Sequence, residues 1–292
     1  MIKDYLKAGY PALSVLTYEP YRAEQLLPCD GWRFFAWDCI QGIKDLESKK
    51  IIEEITDPVA AVNWLKEFSD TVLLMHNLHL FMDIAEVVQS IQNGVPRWKA
   101  TGSSLVMISP MIKMCAEVEK YFHVIDLALP SDIELFVLQS ELGKQTNIEP
   151  DKNAARAAMG LTEFEAETAY ALSLIRKGRF STRVISEAKS QKIRKSGLME
   201  FWSPADINDV GGLGNLKSFI QNRSKAFAPD NVKLPHPKGL LLVGIPGTGK
   251  SLSSKATASM LGWPLIRLDI GSLKHSLVGE SERRMREATQ II

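Results

Sequence analysis

Short apolar runs alternate with amphipathic segments along the first 130 residues of the chain. The runs LSVLTY, TVLLM, SSLVMIS and FHVIDLALP have the length and composition of buried β-strands, and the aromatic segment WRFFAWDC is β-prone. The segments EPYRAEQLL, DPVAAVNWLKEFS and FMDIAEVVQSIQNG have apolar residues at helical spacing. We predict that Asp57 caps the second helix and that Asn93-Gly94 ends the third. This alternation predicts an α/β fold with a parallel sheet covered on both faces.

The pattern is helical from residue 131 to 182, which predicts a small lid-like domain. Within it, Thr162 is the expected N-cap of the segment LTEFEAETAYALSLIRKG, because acidic residues follow it and suit the positive end of a helix. Residues 183–203 are basic and weakly apolar, which predicts a linker or a solvated helix. Binding of a nucleic-acid backbone by Arg183–Lys195 is the less favoured alternative.

A second α/β pattern occupies residues 204–292. It consists of a glycine turn and helix in INDVGGLGNLKSFIQNRSKAF, a buried strand LLLV, a helix SLSSKATASMLG, a strand PLIRLDI and the start of a helix in ESERRMREATQII. This is one βαβ unit and part of a further helix, whereas a doubly wound sheet has about five strands. We therefore expect the chain to stop inside this second core.

Composition and charge narrow the class of protein. The chain of 292 residues is 45% hydrophobic and has a net charge of +1, so it can bury an ordinary core and has no overall field that would attract nucleic acid or an anionic membrane. Its three cysteines, Cys29, Cys39 and Cys115, are too few and too far apart for a disulfide framework or a zinc site, which favours a reducing compartment. Without a recognisable signal peptide or an apolar run of about 20 residues, we expect a soluble, cytoplasmic protein.

The segment Gly244–Ser251, GIPGTGKS, matches the phosphate-loop pattern G-x-x-x-x-G-K-[ST] in full. Glycines let successive backbone N–H groups curl around a phosphate, and the helix that follows directs its positive end at the same anion. Lys250 would contact the β and γ phosphates, and the Ser251 hydroxyl would ligate Mg²⁺. We predict ATP and Mg²⁺ as cofactors, bound by Gly244, Ile245, Pro246, Gly247, Thr248, Gly249, Lys250, Ser251 and Leu252.

Three motifs in this part of the chain together resemble those of AAA ATPases. They are the segment Asp209-Val210-Gly211-Gly212-Leu213, the phosphate loop, and the segment Val278-Gly279-Glu280-Ser281-Glu282 with Arg283 and Arg286. The resemblance implies that the backbone at Asp209, Val210 and Gly211 lies near the adenine. It also implies that Leu277, Val278 and Gly279 line the central pore of a homo-oligomeric ring. Members of the family usually have an aromatic residue where this chain has Leu277, which puts a threading grip on polypeptide in doubt.

Hydrolysis in the AAA family also requires an Asp-Glu pair at the end of a third strand and an arginine from a neighbouring subunit. Neither feature can be located in this sequence. Glu280 and Glu282 are no substitute, because we expect them to be solvated or to lie between subunits. The catalytic residues therefore stay unassigned, and we expect this chain by itself to hydrolyse ATP poorly or not at all.

The first half of the chain can be laid on the same template. The segment Glu19-Pro20-Tyr21-Arg22 takes the place of the phosphate loop, but it has neither glycines nor a Lys-Ser pair. His76-Asn77 takes the place of the Asp-Glu pair, and Tyr121 takes the place of the arginine. Residues 1–130 thus resemble a degenerate AAA core. The alternative is an unrelated α/β domain with the same alternation. His76 and His79 have an i, i+3 spacing that suits a helix, but they follow a strand, so a structural role is favoured over a metal site.

A degenerate first core followed by one working core resembles the layout of a poorly characterised AAA family encoded in cyanobacterial and some plastid genomes. The resemblance implies an oligomeric protein-remodelling or regulatory ATPase, and it does not supply a substrate. The alternative function is a regulatory scaffold that binds ATP as a structural ligand, and a nucleic-acid motor has the least support. The plastid stroma is the alternative location.

Overall fold

The computed structural model describes residues 2–195, 199–202, 211–227, 235, 237–261 and 265–268. These residues form two compact units. The first comprises Met1–Pro150 with Leu161–Thr168, and the second comprises Asp151–Gly160 with Ala169–Ile292. Each unit is described separately below.

The first unit is built on a seven-stranded sheet. Its strands are β1 (Ala12–Leu16), β2 (Arg33–Asp38), β3 (Gly42–Asp45), β4 (Ile51–Glu53), β5 (Thr71–His76), β6 (Ser104–Ser109) and β7 (Phe122–Asp126), in the order β4-β3-β2-β5-β6-β1-β7. The five strands β2, β5, β6, β1 and β7 are parallel, whereas the β3–β4 hairpin is antiparallel and extends one edge. The predicted α/β class with a parallel sheet is therefore confirmed, and the sequence analysis missed the hairpin.

Helices cover both faces of this sheet, as predicted. The helices of the first unit include α1 (Lys3–Lys7), α2 (Pro20–Leu26), α3 (Pro58–Trp64), α4 (Ala85–Thr101), α5 (Ala116–Glu119) and α6 (Asp132–Thr146), with 3₁₀ turns at Leu65–Glu67 and Leu78–Phe81. Side chains of α3, α4 and α5 pack on one face, and those of α1 and α2 pack on the other. Because both faces are buried, strands β5 and β6 are buried along their whole length.

Two strand-to-strand connections next to β1 run in opposite directions along the sheet. β1 leads through α2 to β2, which lies beyond β6 and β5, while β6 leads through α5 to β7 on the other side of β1. In open α/β sheets, the carboxyl ends of strands at such a switch point form the crevice in which ligands bind. The carboxyl ends of β1 and β6, at Leu16 and Ser109, therefore mark the candidate crevice of the first unit.

Local sequence signals set several of the helix ends. Asp57 caps α3 as predicted, since its carboxylate accepts the N–H of Ala60 at 2.7 Å. Ser131 and Glu134 form a capping box at the start of α6. Thr162 caps α8 (Glu163–Lys177) as predicted and forms a second reciprocal pair, in which the Glu165 N–H donates to the Thr162 hydroxyl.

The prediction that Asn93-Gly94 ends a helix was wrong. Helix α4 continues through Gly94 and Pro96 to Thr101, and Gly102 terminates it in the left-handed conformation at φ 71°. Pro96 removes one helical N–H, but the buried indole of Trp98 anchors this last part of the helix on the sheet. Gly94 is needed there because a Cβ atom would lie 2.3 Å from the Trp98 ring. Tertiary packing thus outweighs the local stop signal.

The second unit contains short elements. They are α7 (Lys152–Ala158), the later part of α8, α9 (Thr182–Lys195), β8 (Met199–Trp202), α10 (Gly214–Ser224), a 3₁₀ turn at Lys225–Phe227, α11 (Lys250–Leu261) and β9 (Leu265–Leu268). Helices α7 and α9 pack together through buried apolar side chains such as Ala155 and Ile185. The basic segment is therefore largely helical, and β8 follows it within the predicted linker.

The predicted strand Leu240–Val243 does not form. Residues 240–245 have no regular secondary structure, and the side chains of Leu241 and Val243 are each 86% exposed. A buried parallel strand requires a neighbouring strand to satisfy its backbone groups. In the described part of the second unit, β8 and β9 pair antiparallel with each other, and residues 240–243 pair with neither of them. The expected βαβ unit is therefore absent there, although its helix α11 and its strand β9 both form.

Among the helices of the described ranges, none combines the length and apolarity required to cross a membrane.

Candidate nucleotide-binding site

The predicted phosphate loop forms a glycine-dependent turn at the start of α11. Pro246 and Gly247 form a turn, and Gly247 and Gly249 adopt φ values of 83° and 80°. No heavy atom lies within 4 Å of a Cβ built on either glycine. The requirement at these two positions is therefore conformational, because only glycine enters the left-handed region without strain.

The Lys250 side chain folds back over this turn. Its ammonium nitrogen donates to the carbonyl oxygens of Gly244 at 2.8 Å and Ile245 at 2.6 Å. The Thr248 hydroxyl donates to the same Ile245 carbonyl at 2.8 Å, and a Cβ on Gly244 would lie 2.9 Å from that hydroxyl oxygen. Gly244 is therefore required for close approach. The Lys250 ammonium group therefore lies beside the loop, where a phosphate could replace the carbonyl oxygens as its partner.

Helix α11 begins at Lys250, and its amino-terminal end closes the turn. The Ser253 N–H and hydroxyl both donate to the Gly249 carbonyl, at 2.8 and 3.0 Å. The Ser251 side chain is exposed, whereas Ser253 is buried. Because the positive end of a helix favours an anion and Ser251 is open to solvent, the arrangement suits a phosphate with an associated metal ion.

Trp202 of β8 connects this helix to β9. Two cations lie over its indole ring, with the Lys255 nitrogen 5.0 Å and the Arg267 guanidinium carbon 5.3 Å from the ring centroid. Arg267 also forms an ion pair with Glu200 at 3.7 Å. The sequence analysis missed this contact, since it treated Trp202 as part of a linker. Cation–π contacts of this kind are worth about 0.5–1 kcal/mol at exposed sites.

The other predicted site residues are only partly described. Gly211 is described and exposed, while Asp209 and Val210, expected near the adenine, lie outside the described residues. The predicted pore residues Leu277, Val278 and Gly279 also lie outside them. The structure therefore brings the residues of the phosphate loop together and leaves the adenine and pore assignments as predictions.

Comparisons with known proteins cover most of the chain. Residues 240–292 match the family model "ATPase family associated with various cellular activities (AAA)". Residues 1–127 match the N-terminal domain and residues 138–196 the second domain of the "SpoVK-like AAA ATPase" models. The chain belongs to the AAA family of ATPases. The resemblance inferred from the three motifs is thereby confirmed.

Several AAA proteins are similar in sequence. A protein named "Uncharacterized AAA domain-containing protein ycf46" from Pyropia yezoensis is 32% identical over 98% of this chain and 62% of its own length. A protein of the same name from Guillardia theta is 29% identical over 99% of this chain and 61% of its own length. The chain thus spans about three fifths of these relatives.

Two further matches are a sequence relative over part of the chain and a solved structure of low similarity. The proteasome-activating nucleotidase of Methanopyrus kandleri is 32% identical over 38% of this chain and 27% of its own length. The solved structure of the Thermotoga maritima RuvB Holliday junction branch migration motor covers 98% of this chain and 86% of its own, at 12% identity and a TM-score of 0.43. A likeness at that level carries no argument about this chain.

The first AAA-like core has a very different turn at the corresponding place. Only Thr17, Tyr18 and Glu19 separate β1 from α2, whereas six residues, 244–249, precede α11 after Val243. The Thr17 hydroxyl accepts the Glu19 N–H at 3.0 Å, and the Thr17 N–H donates to the Ser109 carbonyl at 2.9 Å. The N–H groups of Thr17 and Glu19 are thus used by β6 and by the turn itself, and the turn has neither the length nor the glycines of residues 244–249.

His76 stands at the end of β5 in this core, where an AAA site would have its Asp-Glu pair. Its Nε2 atom lies 3.1 Å from the Glu24 carboxylate, and the other oxygen of Glu24 accepts a hydrogen bond from Lys44 at 2.6 Å. Burial by itself would raise the pKa of Glu24, but the contacts with His76 and Lys44 outweigh it and lower that pKa. The sequence analysis missed Glu24 as a partner because it lies 52 positions away on another element.

The histidines of this core do not form a metal site in the described residues. No group of three His, Cys, Asp or Glu side chains is placed there to hold a metal ion. His79 is buried, and burial, aided by the nearby charge of Lys113, lowers the pKa of its imidazole. A neutral, buried imidazole is consistent with a structural role for His79.

The lowered pKa of Glu24 predicts an acid-dependent loss of stability. A carboxyl group whose pKa is lowered by folding stabilises the protein at pH values above the ordinary pKa of glutamate. This stabilisation is lost as the pH falls through the pKa that the group has in the folded protein. We therefore expect Glu24→Gln to lower the free energy of unfolding at pH 7, and the difference from wild type to shrink below about pH 4. Denaturant unfolding at pH 7 and at about pH 3.5 measures this.

Glu141→Gln, at an exposed position of α6, is the matched control and should change stability little at either pH. A difference between wild type and Glu24→Gln that stays constant across the pH range would contradict the assignment.

Proposed function

We propose that this protein binds ATP with Mg²⁺ in the loop Gly244–Ser251 and couples its hydrolysis to remodelling or regulation of a protein partner in an oligomeric ring. The observation that carries the proposal is the turn itself, in which Gly247 and Gly249 have left-handed φ values and Lys250 lies across the loop carbonyls. Membership of the AAA family supports nucleotide binding in general. Similarity to a protein named as a proteasome-activating nucleotidase supports a role on proteins.

Other residues complete the proposed site. Leu252 follows the metal-binding serine on α11, and Asp209, Val210 and Gly211 would contribute backbone near the adenine. Leu277, Val278 and Gly279 would face the pore of the ring, where Leu277 offers an apolar rather than an aromatic contact to a substrate. The first core would contribute to assembly without binding nucleotide. The cytoplasm, or the plastid stroma, stays the predicted location.

Ser251→Ala tests the metal part of this proposal. We expect wild-type protein to bind a fluorescent ATP analogue more tightly with Mg²⁺ than with EDTA, because the exposed hydroxyl completes the metal coordination. The variant should reduce that Mg²⁺-dependent gain by about tenfold, corresponding to the loss of one contact to a charged group. Binding in EDTA should be nearly unchanged.

Ser254→Ala is the matched control, because the Ser254 hydroxyl on the same helix is engaged within the helix, where it donates to the Lys250 carbonyl at 3.1 Å. This control should keep the full Mg²⁺ effect. An equal Mg²⁺ effect in wild type and Ser251→Ala would remove Ser251 from the metal site. Tight ATP binding without any turnover would favour the alternative function, a scaffold that holds ATP as a structural ligand.

A further inference from the structure

The crevice of the first unit contains a buried arginine. We propose that Arg22 acts as an internal substitute for a crevice ligand: it holds the amino-terminal ends of α6 and α8 at the carboxyl edge of the sheet, so that both helix ends stay in place without a bound nucleotide. Open α/β sheets bind ligands at this edge. In this chain the protein's own charged groups occupy it. The inference concerns the first unit and does not depend on ATP binding at Gly244–Ser251.

The contacts of Arg22 join four separate segments of the first unit. Its guanidinium donates to the Ala128 carbonyl, after β7, at 2.7 Å and to the Glu134 carboxylate of α6 at 2.9 Å. It lies 3.5 Å from the carboxylate of Glu19, in the turn after β1, and 3.9 Å from that of Glu163, in the first turn of α8. The Arg22 side chain is only 8% exposed. One planar group thus reaches a loop, a turn and two helix ends.

Glu19 takes the place of an anion at the start of α8. Its carboxylate is buried and accepts the N–H of Glu163. Burial raises the pKa of Glu19, although the hydrogen bond from Glu163 and the charge of Arg22 oppose the rise. A helix amino terminus favours a bound anion, and the same preference attracts phosphates to such ends in nucleotide sites. The anion therefore belongs to the protein, with Arg22 as its counterion.

Glu134 links the same cation to the start of α6. One carboxylate oxygen accepts from the N–H and hydroxyl of Ser131 in the capping box, and the other accepts from Arg22. The hydrogen bonds from Ser131, with the charge of Arg22, lower the pKa of Glu134. The Glu134 carboxylate thus caps α6 and also binds Arg22 of α2.

The geometry requires a guanidinium. Arginine presents five N–H donors in a rigid fork, whereas lysine offers a compact ammonium that cannot reach four acceptors in different directions. Removing the cation would leave the buried Glu19 without a counterion, which local opening of the helix ends would relieve by admitting water.

Hydrogen exchange measured by mass spectrometry on the full chain tests the proposal through Arg22→Lys, which keeps the charge and removes the fork. We expect amide exchange to rise by about tenfold or more in residues 131–146 and 161–168, while β5 and β6 stay protected. Arg97→Lys is the matched control, because Arg97 is exposed and donates to the Lys66 carbonyl. It should leave exchange in both segments unchanged.

A second variant, Glu19→Gln with Arg22→Gln, removes both buried charges. It distinguishes a local effect on the helix ends from a general loss of folding. It should fold and still show faster exchange in the same two segments. Unchanged exchange in either variant, or an equal rise across β5 and β6, would overturn the proposal. Slower amide exchange in residues 17–26 when ATP is added to the Lys250→Ala variant would also overturn the proposal, because nucleotide would then bind in the first unit itself.

Discussion

Lys250→Ala is expected to weaken ATP binding by about a hundredfold, which corresponds to about 2.7 kcal/mol. The ammonium group lies against the carbonyls of Gly244 and Ile245 at the mouth of the loop, so the variant removes the one cation positioned within the turn itself. Charge-assisted contacts to phosphate are among the stronger polar interactions, and the loop amides by themselves supply no full positive charge. Titration with a fluorescent ATP analogue measures the loss.

Lys255→Ala is the control for this prediction, because it removes the same charge from the same helix. Lys255 lies over the Trp202 ring rather than toward the loop, so this variant should bind ATP within about twofold of wild type. Equal affinity of Lys250→Ala and wild type would exclude Gly244–Ser251 as the nucleotide site. Equal losses in both variants would show that the effect reflects the charge of α11 as a whole.

Gly94→Ala is expected to destabilise the protein by about 1–3 kcal/mol through overpacking. On an exposed helix the same change would stabilise by about 0.5–1 kcal/mol, since alanine is the better helix former. In α4 the added Cβ would lie 2.3 Å from the ring of Trp98, which is fully buried and cannot swing away. The sign of the effect therefore distinguishes packing from propensity. Denaturant unfolding, or the shift in the melting temperature of the first unit, measures it.

Asn93→Ala provides the neighbouring control, because Asn93 is exposed on the same helix and accepts only a side-chain hydrogen bond from Gln89. We expect its free energy of unfolding to lie within about 0.5 kcal/mol of wild type. A stabilised Gly94→Ala variant would mean that the helix shifts to relieve the contact, and that Gly94 is dispensable for the packing of α4.

The turns that precede α2 and α11 differ in length and in glycine content. In the second, six residues with left-handed glycines lead into α11 and leave Lys250 at an open mouth. In the first, three residues without glycine lead into α2, and Arg22 fills the crevice from within. Left-handed glycines thus accompany the longer turn, and a buried arginine accompanies the shorter one.

Much of this could be read from the sequence, where the deciding interactions are local. The strands β1, β5 and β6 follow from apolar runs, because a strand buried on both faces needs mostly apolar side chains, and the apolar run at β7 marks a partly exposed edge strand. The caps at Asp57 and Thr162 follow from polar side chains within three residues of the amides that they bind. The loop at residues 244–251 follows from glycine positions and the adjacent Lys-Ser pair.

Tertiary structure decided the features in which distant segments meet. Helix α4 continues past its local stop signal because Trp98 packs on the sheet, and residues 240–243 form no strand although their apolar run predicts one. The partners of Arg22 lie as far as 141 positions away, at Glu163, and no spacing rule connects them. Propensity and capping act over a few residues, whereas burial and ion pairing depend on which segments share a space, and only the folded chain determines that.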